Sequence, residues 1–185
     1  MLDSNELLYA YTQGYFPMAD PDANNEIYWY KPEQRGIIPL DEFHIPKNLK
    51  RLYRNHPFQL KINKDFRATI TRCSERDDTW ISEEIIDSYC ALHKMGFAHS
   101  IECWDRDQLV GGLYGVAIRA AFFGESMFSN LPNTSKLCLV HLVEFLKEEN
   151  FKLLDTQYIN DHLLQFGAVE IPDAEYMKLL DDALS

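Results

Sequence analysis

The sequence predicts a mixed α/β fold of the α+β kind, with helices packed on a largely antiparallel central sheet. Three observations predict it. Two stretches, residues 82–96 and 134–149, carry apolar side chains at helical spacing. Between them, residues 98–104, 108–118 and 120–123 read as consecutive strands, the first two joined by a hairpin turn at Asp105-Arg106-Asp107. Beyond them, short strand-like and helix-like runs continue to alternate to the end.

In chain order, a first helix is expected over 5–13, capped by Asp3 or Ser4, with Leu7, Leu8 and Tyr11 inward and Gly14 ending it. The aromatic, proline-punctuated segment from Tyr15 to Pro32 reads as loop and short strand, and 36–40 as strand. A short helix starts near Pro46, where proline suits the first turn. Lys47, Lys50, Arg51 and Arg54 recur at i, i+3, i+4 and i+7, so they share one face, opposite Leu49, Leu52 and Tyr53. Residues 58–63 alternate like a strand, 65–73 form a helix, and Glu75-Arg76-Asp77-Asp78 a turn. Ser82 caps the helix that puts Ile85, Ile86, Tyr89, Leu92 and His93 on one face, and Gly96 stops it. After the central strands, Thr134 or Ser135 opens a long helix, 151–155 is an apolar strand and a short helix lies near Asp161. Residues 168–171 form a strand, and a last helix begins at Asp173. The length suits one domain, divided into a small N-terminal lobe over 1–60 with the basic helix and a core over 61–185.

With 46% hydrophobic residues the chain can bury a core, unlike a disordered protein. No apolar run approaches the ~20 residues that span a bilayer. Met1-Leu2-Asp3-Ser4-Asn5-Glu6 is acidic where a signal peptide is positive. A cytoplasmic protein without membrane association is therefore expected. Cys73, Cys90, Cys103 and Cys138 contain no CxxC pair, so they read as four buried thiols, with no metal site. The net charge of −11 argues against a nucleic-acid partner, but its distribution argues for one. Lys31 to Arg72 holds ten Lys or Arg against four Asp or Glu, in a chain acidic everywhere else. The basic helix face is either solvated surface or a phosphate-backbone contact.

No GxxxxGK[ST], no GxGxxG before a helix and no GxSxG occurs, so ATP, dinucleotide and serine-hydrolase sites are not expected. The glycines of Val110-Gly111-Gly112-Leu113-Tyr114-Gly115 read as close packing or a bulge in a strand. His99 and His141 read as structural imidazoles. Two segments invite more. Phe122-Phe123-Gly124-Glu125-Ser126-Met127-Phe128-Ser129 sets one carboxylate among aromatic and thioether side chains, where it must be paired, protonated or bound to a ligand cation. Leu153-Leu154-Asp155-Thr156-Gln157 ends an apolar strand in a polar triplet, a common place for site residues. Each is either a site or a buried hydrogen-bond network.

From about Leu7 onward the chain resembles the leucyl/phenylalanyl-tRNA–protein transferase family. The resemblance rests on Ala10 to Met18, Cys73 through Thr79-Trp80-Ile81, Leu92 to Glu102 and Leu109 to Ala117. It continues through Phe123 to Ser129, Ser135-Lys136, Asp155-Thr156-Gln157 and Phe166-Gly167-Ala168. It implies a GNAT-like acyltransferase core over 61–185 that takes aminoacyl-tRNA in place of acyl-CoA and needs no cofactor. The acyl-CoA signature QxxGxG is not met, since Gln108 is followed by Gly111, Gly112 and Leu113.

By the same resemblance, Leu, Phe or Met is transferred from charged tRNA to a protein or peptide N-terminus, marking it for N-degron degradation. Asp155 and Gln157 are implied as catalytic. Leu113, Phe122, Glu125, Leu139 and Leu154 are implied around the donor side chain, with Glu125 meeting its α-ammonium. Met18, Trp80, Tyr89 and Asn160 are implied around the terminal adenosine, and Lys47, Lys50, Arg51 and Arg54 along the tRNA backbone. The reaction is aminolysis of an activated ester by an amine of pKa about 7.7–8. Gln157 would position the reactants, with the proton relayed towards Asp155 or through the donor's ribose hydroxyl. The acceptor implied is an N-terminal Arg or Lys, and the protein a monomer. The family's WWSP appears as Trp29-Tyr30-Lys31-Pro32, and its HxSRS as His44-Ile45-Pro46-Lys47-Asn48. An N-terminal Asp or Glu, drawn by Lys31, and a non-catalytic binder of charged tRNA are the alternatives.

Overall fold

The computed structural model describes all 185 residues. Helix α1 (Ser4–Thr12) is capped by the Asp3 carboxylate, which accepts from the Glu6 N–H, and Gly14 ends it at φ +85°. A hairpin of β1 (Phe16–Asp20) and β2 (Glu26–Tyr30) occupies the segment expected as loop and short strand. Strand β3 (Gln34–Ile37), helix α2 (Lys47–Asn55), strand β4 (Gln59–Ile62) and helices α3 (Phe66–Ser74) and α4 (Glu83–Lys94) follow. Asp65 and Ser82 cap α3 and α4 by accepting from Ala68 and Ile85 N–H, which satisfies donors that the first turn leaves free. The chain continues through β5 (Ala98–Asp105), β6 (Gln108–Ile118), β7 (Ala121–Ser129), α5 (Thr134–Glu148), β8 (Leu153–Gln157), α6 (Asp161–Leu164), β9 (Val169–Pro172) and α7 (Asp173–Leu184).

Seven strands make one sheet in the order β4-β5-β6-β7-β8-β3-β9. Only β7 and β8 run parallel, and α5 is the crossover between them. The sheet draws strands from both sides of residue 60, since β3 lies between β8 and β9. Strand β7 is longer than its apolar start predicts. It continues past Phe123 to Ser129 by pairing with β6, and its polar half borders a cavity.

Each face of the sheet is covered. Leu7, Tyr11, Ile70, Ile85, Tyr89 and Leu180 bring α1, α3, α4 and α7 onto one side. Leu49, Leu137, Val140, Leu146, Leu163 and Phe166 bring α2, α5 and α6 onto the other. Each such side chain contributes about 1.5–3 kcal/mol by leaving water. Gly111 has the packing role read from the strand, because a Cβ there would sit 2.3 Å from Thr134 Oγ1 at the start of α5. The four cysteines are free and buried. No helix is long and apolar enough to cross a membrane.

Candidate active site

The parallel pairing of β7 and β8 lasts only from Ala121↔Leu153 to Phe123↔Asp155. Beyond it the strands part, and a cavity of about 250 Å³ opens between them. Leu139 and Leu142 of α5, Leu163 of α6, and Leu113 and Leu154 of the sheet line its apolar end. Two ladder irregularities lie at this opening. Gly115 pairs with Gly124 and Tyr114 with Ser126, so Glu125 is an extra residue in β7. Gly36 pairs with Gln157 and Ile37 with Asp155, so Thr156 is extra in β8. Such bulges re-aim side chains beside sites. Here Glu125, Thr156 and Gln157 all line the cavity.

Asp155 is fully buried and fully occupied. Its Oδ1 accepts from Arg35 Nε at 3.1 Å and Gln157 N at 2.7 Å; its Oδ2 accepts from Arg35 Nη2 at 2.7 Å and the Tyr176 hydroxyl at 2.5 Å. Arg35 is 1% exposed, donates its other arm to Gly14 O at 2.7 Å, and stacks 4.2 Å from the Tyr176 ring centroid. A buried ion pair holds when its remaining donors and acceptors are satisfied in this way. The saturated carboxylate fixes Gln157 at φ +65°, a backbone conformation that few non-glycine residues adopt. Gly36 allows the close approach that this needs, since a Cβ would lie 2.7 Å from the Tyr158 carbonyl carbon.

Glu125 has a different environment. Its Oε1 accepts from the Tyr11 hydroxyl, which also meets the Tyr89 hydroxyl, and its Oε2 accepts from Gln157 Nε2 at 3.1 Å. All these partners are neutral. Burial pushes the carboxyl up to about 8, only partly opposed by the hydrogen bonds from Tyr11 and Gln157. Burial also holds both tyrosine hydroxyls well above their usual range, so they remain donors.

A family model described as leucyl/phenylalanyl-tRNA protein transferase matches residues 37–181, and one for its N-terminal domain matches residues 1–33. The chain belongs to the leucyl/phenylalanyl-tRNA protein transferase family. This is a family of aminoacyltransferases. The chain is 49% identical to the leucyl/phenylalanyl-tRNA–protein transferase of Zymomonas mobilis, over 100% of this chain and 70% of that protein. It is 52% identical to the protein of the same name from Herpetosiphon aurantiacus, over 96% of this chain and 92% of that one. Among solved structures it is similar to L-PGS from Bacillus licheniformis, with a TM-score of 0.50 and 10% identity, over 97% of this chain and 70% of that chain, a likeness of fold alone.

Most residues that the transferase resemblance implied do meet at one place. Gln157, Leu113, Glu125, Leu139, Leu154, Met18, Trp80 and Asn160 all line the cavity. Asp155 stands behind it, and its buried carboxylate accepts from the backbone N–H of Gln157, a lining residue. Phe122 does not line it; this ring is 2% exposed and packs with Leu113, Leu139 and Leu154 from outside the cavity. Tyr89 does not line it either. Its ring is fully buried, edge-on to Tyr114 at 5.8 Å. The helical face that Tyr89 shares with Ile85 and Ile86 holds it in the core, where it supports Tyr11. Lys47, Lys50, Arg51 and Arg54 lie outside the cavity on α2, all exposed.

Residues that the sequence did not single out also stand at the cavity or behind it. Arg35 was visible only as one cation in the basic stretch, although its neighbours Gly36-Ile37-Ile38 mark an apolar strand in which a lone Arg needs a partner. Tyr11 was read only as an inward residue of the first helix, and Tyr176 only fell within the last one. Arg76 and His162 also line the cavity. The His162 Nε2 is buried with no hydrogen-bond partner, and burial draws that imidazole towards its neutral form.

Proposed function

We propose that the chain moves leucine or phenylalanine, with methionine as a third donor, from aminoacyl-tRNA to the N-terminal α-amine of a protein. The observation that carries this reading is the cavity, an apolar end with one half-buried carboxylate at its edge that has neutral partners only. An aminoacyl group matches it end for end. The side chain enters among Leu113, Leu139 and Leu154, and the α-ammonium supplies the cation that Glu125 lacks. Trp80 and Met18 at the rim offer apolar faces to the terminal base.

In the reaction, the acceptor nitrogen attacks the ester carbonyl, a C–N bond forms, and the C–O bond to the tRNA 3′ oxygen breaks. One proton leaves the nitrogen and one returns to that oxygen. Asp155 already accepts four hydrogen bonds, so we assign the relay to the donor's ribose hydroxyl and keep Gln157 as the positioner. Alignment and a fixed hydrogen-bond donor near the carbonyl are then the main sources of acceleration.

The exposed cations of α2 support a phosphate-backbone track, because Lys47, Lys50, Arg51 and Arg54 share one face. For the acceptor we favour an N-terminal Arg or Lys, entering an N-degron route in the cytosol. Lys31, the residue that would draw an acidic acceptor, is engaged by Asp173 at 3.7 Å and by the Tyr15 ring. The same reading takes the protein as a monomer with a GNAT-like core over 61–185 and a small lobe over 1–60.

The test is transfer of labelled leucine from leucyl-tRNA to peptides beginning with Arg, Lys, Asp or Glu. Leucylated Arg and Lys peptides are the expected products. Binding of charged tRNA without turnover would reduce the protein to a binding module, and transfer to Asp and Glu peptides alone would overturn the acceptor assignment.

A further inference from the structure

One charged group on the cavity rim has no role in the reaction as written. Arg76 is the only Lys or Arg among the lining residues. Its Nη2 donates to the Ser126 hydroxyl, and its Nε donates to the Cys73 carbonyl at 3.3 Å. Both acceptors are neutral. The neighbouring acids Glu75, Asp77 and Asp78 are exposed, and Glu75 lies against Arg72 at 3.9 Å. The guanidinium is thus held in place at the mouth, open to solvent, with its charge unanswered.

We infer that Arg76 binds the 5′-phosphate of the donor's terminal nucleotide. The inference rests on the donor reading above. A terminal nucleotide carries its ester on the ribose 3′ oxygen, its base on C1′ and its phosphate on the 5′ oxygen. With the acyl group inward at Glu125, base and phosphate both fall on the rim. Trp80 lies there four residues after Arg76, and Ser126, which holds Arg76, directly follows Glu125. A planar guanidinium fork suits two phosphate oxygens, and fixing it beforehand reduces the entropy lost on binding. Arg76 therefore reads the end of the tRNA as a phosphate, independently of base identity.

The experiment compares two minimal donors, 3′-O-leucyl-adenosine and its 5′-phosphate, in wild-type protein and Arg76→Gln. The substitution should lower kcat/KM for the phosphorylated donor by about tenfold, the scale of one charged hydrogen-bonded contact. It should leave the unphosphorylated donor within about twofold. Arg76→Lys, which keeps the charge but loses the fork, should fall between them. Binding supplies a second readout that needs no turnover: wild-type protein should prefer adenosine 5′-monophosphate to adenosine by calorimetry, and Arg76→Gln should not. Equal losses on both donors, or a loss confined to acceptors beginning with Asp or Glu, would overturn the inference. Turnover by wild-type protein reports on the donor reading separately, so the two failures are distinguishable.

Discussion

Asp155 and Glu125 are carboxylates on adjacent strands, both beside Gln157, yet they live in opposite electrostatic conditions. Asp155 is matched by the Arg35 guanidinium, with Tyr176 and a backbone N–H filling its remaining sites. Glu125 receives only neutral donors, and burial lifts its carboxyl to about 8. The difference separates building a site from using it. Asp155 is complete before any substrate arrives, so it sets geometry. Glu125 is incomplete, so a cationic group gains by meeting it.

The largest expected effect comes from breaking the complete pair. Asp155→Asn leaves Arg35 buried without its anion and should cost about 3–5 kcal/mol of stability by chemical denaturation. Transfer activity should fall with it, because the ion pair that anchors the strand carrying Gln157 is lost. A loss below about 1 kcal/mol would mean that water reaches the pair.

Glu125→Gln should act in the reverse sense on stability. The folded carboxyl titrates near 8 against 4.5 when free, so the folded state holds the proton longer. Native stability therefore declines as pH rises from about 4.5 to 8, and levels off above 8. The amide removes that decline, so the variant should gain roughly 1–3 kcal/mol on the wild type at pH 8–9 and much less at pH 5. Its KM for leucyl-tRNA should rise at the same time. Parallel melting curves across pH would refute the contrast between the two carboxylates.

The smallest change tests the cavity wall. The buried Tyr114 hydroxyl has no partner and lies at the cavity. Tyr114→Phe removes a group left unsatisfied, so melting should show a change within about 1 kcal/mol, neutral or stabilising. A marked destabilisation would reveal a partner for the hydroxyl in solution.

How much of this was legible beforehand divides along physical lines. Helices capped by Asp3, Asp65 and Ser82, and ended by Gly14 and Gly96, follow from local chemistry that the sequence carries whole. The Asp155-Thr156-Gln157 triplet and Glu125 stood out because polar residues interrupt apolar strands there. Arg35 could not be placed with Asp155, since 120 positions separate them and β3 joins β8 only through the sheet order. The hairpin of β1 and β2 was masked by Pro17 and the aromatic residues around it, and the second half of β7 by the mixed polarity of a strand that faces a cavity. Tyr89 was legible as an inward residue on its helix, and the structure buries it there.

The extra residue in β7 has a consequence for engineering and for natural variation. Because Glu125 is the unpaired residue of the bulge, its deletion would leave Gly124 and Ser126 as successive partners of Gly115 and Tyr114, a regular ladder with its faces unchanged. The cavity would then lose its carboxylate and the local kink that aims it, although every other residue of the strand kept its partner. The shape of the cavity is in this sense written in a count of residues as well as in their identity, and β7 should accept many substitutions more readily than the loss of one position.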